Sequence, residues 1–160
     1  MVAIRAYQQS DADAVYQLFY DTVHTINCRD YSLAQLQAWA PETADKRRWQ
    51  QRLLCNQPLL AYANEQILGY ADLQPDGLID QFFCHHAHQQ QGVGSALMQA
   101  LLIKAQQLQL QLQRMYAHVS ITAKPFFERW HFQTIRMQQV TIRDQQLTNY
   151  LMEKSLVYLY

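Results

Sequence analysis

Phe82-Phe83-Cys84-His85-His86-Ala87-His88-Gln89-Gln90-Gln91-Gly92-Val93-Gly94-Ser95-Ala96-Leu97 reads as a strand, a loop and the first turn of a helix. Gly92 and Gly94 leave backbone amides uncovered where the dipole of the coming helix is positive. Ser95 adds a hydroxyl donor. Such a helix start suits an anion, a diphosphate above all. The same glycines also suit a helix start that packs closely and binds nothing, and a lone Gly-x-Gly does not separate the two. Two phosphate-binding patterns fail on the letters. A dinucleotide fingerprint needs a third glycine at position 97, which is Leu97. A P-loop needs Lys and then Ser or Thr after its last glycine, and Gly94 precedes Ser95-Ala96.

Working outward, Leu78 to Cys84 reads as one strand entering this loop, and Gly94 to Leu110 as the clearest helix, with Val93, Leu97, Ala100, Leu101, Lys104 and Leu108 on one face. Upstream, Leu59–Ala63 and Ile67–Leu73 flank Asn64-Glu65, a hairpin turn signal, and Asp76-Gly77 marks another turn. Before them come a short alternating strand, Val2 to Ala6, and three helices. The first starts at Ser10 as N-cap and carries Val15, Leu18, Phe19, Thr22 and Ile26. The second starts at Ser32, with Gln35 completing a capping box, carries Leu33, Leu36 and Trp39, and stops near Pro41. The third runs from about Asp45 through Trp49 and Leu53 toward Asn56. Downstream, Gln113–Val119 is a strand and Thr122 caps a short helix, Ala123–Trp130, that tolerates Pro125 in its first turn. Phe132–Ile142 and Leu147–Val157 form a hairpin around Arg143-Asp144, with a phase shift between Met137 and Val140 that predicts a bulge. The order β-ααα-βββ-α-β-α-ββ, without repeat or linker, predicts a single domain over 1–160: one mixed α/β sheet with helices on both faces.

Composition narrows the function. The 160 residues carry 13 basic and 13 acidic side chains, so no net charge draws the chain to nucleic acid or a membrane surface. Near-zero charge also permits self-association, and a homodimer is one expectation. Cys28, Cys55 and Cys84 are odd in number and widely spaced, against a disulfide framework or zinc ribbon and in favour of a reducing cytoplasm. No long apolar run predicts a signal peptide or a membrane span. His85, His86 and His88 are read as an exposed loop rather than a metal site, because adjacent histidines do not easily face one ion.

The stretch Gln89-Gln90-Gln91-Gly92-Val93-Gly94 resembles the acetyl-CoA signature of the GNAT (GCN5-related) N-acetyltransferases, Gln/Arg-x-x-Gly-x-Gly/Ala, with Gln89, Gly92 and Gly94 matching it. Ile79 to Cys84 looks like that family's splayed strand, and Ser120 to Phe132 resembles its second characteristic segment. The element order agrees over nearly the whole chain. The resemblance implies a mostly antiparallel mixed sheet with a splayed strand at the cofactor, and acetyl-CoA as cosubstrate without a metal. Cofactor contacts are then expected from Phe83, Cys84 and His85 on the strand, from Gln89, Gln90, Gln91, Gly92, Val93, Gly94 and Ser95 on the loop, and from Ser120, Ala123 and Phe127 beyond it. The departures fall on chemistry. Ser120 stands where the family usually has Asn, His86 where it often has Pro, and His131 where it has Gly. Phe127 replaces a Tyr that commonly protonates the departing thiolate.

Catalytic candidates follow. An amine is mostly ammonium at neutral pH, so attack on a thioester needs a proton acceptor. Asp80, mid-strand, is either that base or a structural hydrogen-bond partner, and Asp72 has the same ambiguity. The proton for the departing thiolate is expected from water or from the Ser120 hydroxyl. The Cys84 amide is a candidate oxyanion donor. His24, Asn27, Tyr31 and Trp39 form either a pocket for the acceptor, expected to be a small-molecule amine rather than a protein, or ordinary packing. Two readings compete with the enzyme: a CoA-binding regulatory or degenerate domain, motivated by Phe127, and a binding module with a purely structural glycine loop.

Overall fold

The computed structural model describes residues 1–108 and 112–157. Strand β1, Ala3–Ala6, is followed by a single 3-10 turn, Gln9–Asp11, and helix α1, Ala12–Thr25. Asp11, not the expected Ser10, fixes this entry. Its Oδ2 accepts from the Gln8 N–H at 2.8 Å while Arg5 clamps both of its oxygens. Helix α2, Leu33–Trp39, opens with the predicted capping box. Ser32 Oγ accepts from the Gln35 N–H, and Gln35 Oε1 accepts from the Ser32 N–H. Leu36 is buried as expected, but Leu33 is exposed. Helix α3, Lys46–Asn56, starts at Asp45, whose Oδ1 accepts from the Arg48 N–H at 3.1 Å.

Strands β2, Leu59–Ala63, and β3, Gln66–Ala71, pair antiparallel around Asn64 and Glu65. Both turn residues have positive φ, 50° and 64°, as a tight hairpin turn requires. The strand expected over Leu78–Cys84 is two strands, β4, Leu78–Ile79, and β5, Phe82–Cys84. Helix α4, Val93–Gln107, follows, and the end expected at Leu110 lies outside the described residues. Its buried face is Val93, Leu97, Met98, Leu101 and Ala105. Ala100 and Lys104 flank this face instead of sharing it. Strand β6 is Arg114–Ser120 and helix α5 is Lys124–Arg129. Thr122 does not cap α5, since its hydroxyl donates to Asp30; Ser120 Oγ accepts the Ala123 N–H there, at 3.0 Å. Strands β7, Gln133–Ile142, and β8, Gln145–Ser155, close the chain around Arg143 and Asp144. Their bulge falls between Thr134 and Arg136, not between Met137 and Val140.

The strands form two four-stranded sets, β1-β2-β3-β5 and β4-β6-β8-β7, antiparallel except for the β4–β6 pair. Helices cover both faces. On one, Leu97, Met98 and Leu101 pack with Met115 and Met152; on the other, Val15, Phe19 and Leu53 pack with Leu60 and Tyr70. Among the described residues no helix is long and apolar enough to cross a membrane. What positions the site is the chain's passage at Asp80-Gln81 from one strand set to the other.

Candidate active site

Because β4 pairs with β6 while, among the described residues, β5 pairs only with β3, β5 and β6 part beyond Ile79 and leave a cleft of about 810 Å³. Asp72 maintains the parting. Fully buried just past β3, it accepts the N–H of Asp80 at 2.9 Å and of Gln81 at 3.0 Å, plus the Gln74 side-chain amide at 2.9 Å. The carboxylate supplies the acceptors that a neighbouring strand would otherwise provide. Burial pushes its pKa up from 3.8 to about 6, against the opposing hydrogen bonds.

At one end of the cleft lies the glycine loop. The first intrahelical bond of α4 runs from the Ala96 N–H to the Gly92 carbonyl, so the amides of Val93, Gly94 and Ser95 precede it. The two glycines have different reasons. Gly92 has φ 85°, and a Cβ there would meet nothing within 4 Å. Gly94 packs, because a Cβ there would lie 3.0 Å from the Phe126 ring of α5. Gln89 closes the loop by donating to the carbonyls of Cys84 and His85 at 2.9 and 3.2 Å. Gln90, with φ 58°, and the exposed Ser95 line the cleft. His85, Gln91 and Val93 do not. Val93 belongs to the core, Gln91 bonds His88, and His85 stacks on His86 and accepts the Ala87 N–H. Among the described residues no group of three or more His, Cys, Asp or Glu is placed to hold a metal ion.

The middle is walled by Phe82, Phe83 and Cys84 opposite Val119, Ser120 and Ala123. The His85 N–H donates to Leu68 on the β3 side at 2.7 Å. Backbone groups alternate along a strand, so the Cys84 N–H faces the free edge, into the cleft. Burial pushes the Cys84 thiol up to about 12. Phe127 is buried among Phe82, Phe126 and Phe132, with part of its surface on the cleft. Gln81 Oε1 and Asn149 Oδ1, on cleft-lining residues, are buried without a partner among the described residues. Asp80 Oδ2 receives Arg52 at 2.9 and 3.0 Å and Asn56 at 2.7 Å, while among the described residues no bond engages Oδ1.

Of the expected acceptor residues, Asn27, Tyr31 and Trp39 line the cleft and His24 does not; its ring bonds the Ala40 carbonyl at 2.8 Å. Tyr31 is also a tie. Its hydroxyl donates to the Thr148 carbonyl at 2.6 Å and accepts the Ile121 N–H at 2.9 Å. Sequence reasoning missed Gln81, Asn149, Arg48 and Arg143. Asn149 carried a usable signal, being a residue depleted in strands yet placed inside one.

A mixed sheet parted beside a helix N-terminus defines an acyl-CoA transferase architecture, and comparison with known proteins agrees. The profile of the acetyltransferase (GNAT) domain matches residues 27–156. The chain is 34% identical over 151 residues to the uncharacterized N-acetyltransferase YafP of Escherichia coli (strain K12), covering 94% of each chain. A GCN5-related N-acetyltransferase structure from Rhodopseudomonas palustris superposes with a TM-score of 0.90 at 28% identity, over 96% of this chain and 95% of that one. The PaiA N-acetyltransferase of Thermoplasma acidophilum, solved in complex with coenzyme A, shares the fold at a TM-score of 0.73 and 14% identity, over 98% and 99% of the chains. This chain belongs to the GNAT acetyltransferase family.

Proposed function

We propose that this protein is an acetyl-CoA-dependent N-acetyltransferase in which a small-molecule primary amine attacks the thioester directly. The observation that carries the reading is one continuous cleft joining the helix start at Gly94 and Ser95 to the unpaired edge of β5, with the partnerless oxygens of Gln81 and Asn149 buried in its wall. The amides and the helix dipole suit a diphosphate. The β5 edge suits a chain of amides laid alongside it. Bound acetyl-CoA supplies the activated acetyl group; the remaining tasks fall to the protein.

Cys84 is no nucleophile, since burial keeps its thiol protonated at neutral pH, so direct attack by the amine is the simpler route. The Cys84 N–H is placed to hold the developing oxyanion. Gln81 and Asn149 line the cleft, and a turn of each side chain brings its buried, partnerless oxygen to the incoming amine, while Asp80 Oδ1 takes the amine's proton, directly or through water. Ser120 Oγ already accepts the Ala123 N–H, which leaves its O–H free to donate a hydrogen bond to the departing thiolate and to pass on a proton taken up from water, so that the hydroxyl is restored as the thiol forms. Cys28, Cys55 and Cys84 are unpaired, in keeping with a cytoplasmic setting.

Titration calorimetry with acetyl-CoA, followed by free-thiol release with a panel of amines, tests the reading. No acetyl-CoA binding overturns it. Binding without thiol release from any amine hands the case to a CoA-binding domain without turnover, the alternative favoured by Phe127. For the proton donor, Ser120→Ala is expected to slow turnover about 10²-fold. Acetyl-CoA affinity should hold, and the lost Ala123 partner should cost about 1 kcal/mol of stability. Ser120→Thr should restore the rate. Unchanged turnover in Ser120→Ala assigns the proton to solvent.

A further inference from the structure

The cleft continues past the β5 edge, away from the glycine loop, to a mouth formed by α1, α3 and the β7–β8 turn. Charge there is not what a neutral chain predicts. Five arginines, Arg29, Arg48, Arg52, Arg129 and Arg143, line the cleft against two aspartates, Asp45 and Asp80, an excess of three positive charges. Arg129 lies at the loop end, over the Phe126 ring that packs on Gly94. At the other end Arg52 is neutralised by Asp80. Arg48 and Arg143 make no ion pair among the described residues.

These two arginines come from different walls. Arg48 stands in the first turn of α3, next to Trp49, whose ring meets that of Tyr16 at 5.0 Å. Arg143, in the β7–β8 turn, donates to the Ala38 carbonyl at 2.6 Å, and its charge acts on Tyr16. Tyr16 is itself pinned, donating to the Pro41 carbonyl. Between this mouth and β5 the walls are aromatic: Phe19 stacks on Trp49 at 5.4 Å, and Phe83 meets Phe19 at 5.0 Å and Trp39 at 6.0 Å. At the inner end Gln81 and Asn149 line the cleft, their partnerless acceptor oxygens buried in its wall.

We infer that the acceptor is an amine whose far end is anionic, a carboxylate or a phosphate, with an apolar or aromatic body between the two ends. The inference rests on the acetyl-transfer reading above. Donor-seeking oxygens inside orient the amine toward the thioester, and two guanidinium groups outside receive the anion. The same arrangement turns away polycationic acceptors, because a second ammonium would meet the arginines at the mouth.

The test uses full-length protein and amines of matched length ending in methyl, carboxylate, phosphate or a second ammonium. Thiol release gives kcat/KM, and calorimetry on the CoA-bound protein gives affinity. The anionic amines should be preferred over the methyl-ended amine by roughly five- to tenfold in low salt, and over the diamine by more. The two anionic arms separate carboxylate from phosphate. The preference should shrink with added salt. It should vanish in Arg48→Gln combined with Arg143→Gln, and Arg143→Lys should retain part of it. Arg48→Gln alone, at an exposed site, guards against a folding effect. Equal rates and affinities for all four ends, a preference for the diamine, or an anion preference that survives the double substitution overturns the inference. If acetyl-CoA binds and no amine releases thiol, the acetyl-transfer reading itself has failed, a result distinct from each of these.

Discussion

Ser95→Glu is expected to weaken acetyl-CoA binding by roughly 10²-fold or more while leaving the fold intact. Ser95 is exposed, lines the cleft and is the third residue of α4, where a glutamate is favoured by the helix dipole. The substitution should therefore hold or raise the melting temperature. It also places a carboxylate on the amides that would hold the cofactor's diphosphate. Charge-assisted hydrogen bonds are each worth about 1.5–3 kcal/mol. Losing two of them, with like-charge repulsion added, weakens binding by roughly 10²-fold or more. Gly94 is a poorer place for this test, since any side chain there drives into Phe126 and confounds binding with packing. The measurement is titration calorimetry on wild type, Ser95→Glu and Ser95→Ala, with thermal melts of each. Ser95→Ala should bind nearly as wild type. A Ser95→Glu dissociation constant within about threefold of wild type removes the helix start from the cofactor site.

Several features held by local chemistry were legible in the sequence, although the caps expected at Ser10 and Thr122 fell to their neighbours Asp11 and Ser120. The Ser32–Gln35 box, the start of the third helix about Asp45 and the Asn64-Glu65 turn each rest on contacts within a few residues, so the letters suffice. Features held from a distance were not. Leu78 to Cys84 has the composition of one strand, and what divides it is Asp72, eight and nine residues from the amides it receives. Tyr31 could be read as pocket or packing because the partners that make it a tie lie 90 and 117 residues away. The bulge was misplaced for another reason. β7 is an edge strand, exposed along its first five residues, so the alternation that locates a bulge is absent where the bulge occurs. Within the candidate site the cofactor half follows one contiguous motif. The acceptor half is gathered from α1, α3, β5, β8 and the last turn, and no local pattern announces it.

Asp72 carries the other large expectation, in which stability and activity move in opposite directions with pH. Its pKa in the folded protein, about 6, exceeds its ordinary 3.8 because burial disfavours the charge. Between these values the folded state binds more protons than the unfolded state. The stability this group contributes therefore falls as pH rises from about 4 to about 6, by an amount on the order of 3 kcal/mol. Activity should run the other way. Only the ionised carboxylate is free to accept from the Asp80 amide, the Gln81 amide and Gln74 together, and protonation below about pH 6 removes an acceptor from the break that opens the cleft. Asp72→Asn separates the two effects. The amide removes the buried charge but turns an N–H toward a backbone N–H, so its net effect on stability at neutral pH is small. The displaced backbone at Asp80 and Gln81 should still lower kcat/KM by roughly 10²-fold, the usual penalty for misplacing reacting groups by an ångström. Denaturant unfolding of both proteins from pH 4 to 8 should show the wild-type decline missing from the variant, and the acidic limb of the wild-type rate profile near pH 6 should be missing too. If the variant keeps that limb and its rate at neutral pH, Asp72 is a buried carboxylate without influence on the cleft.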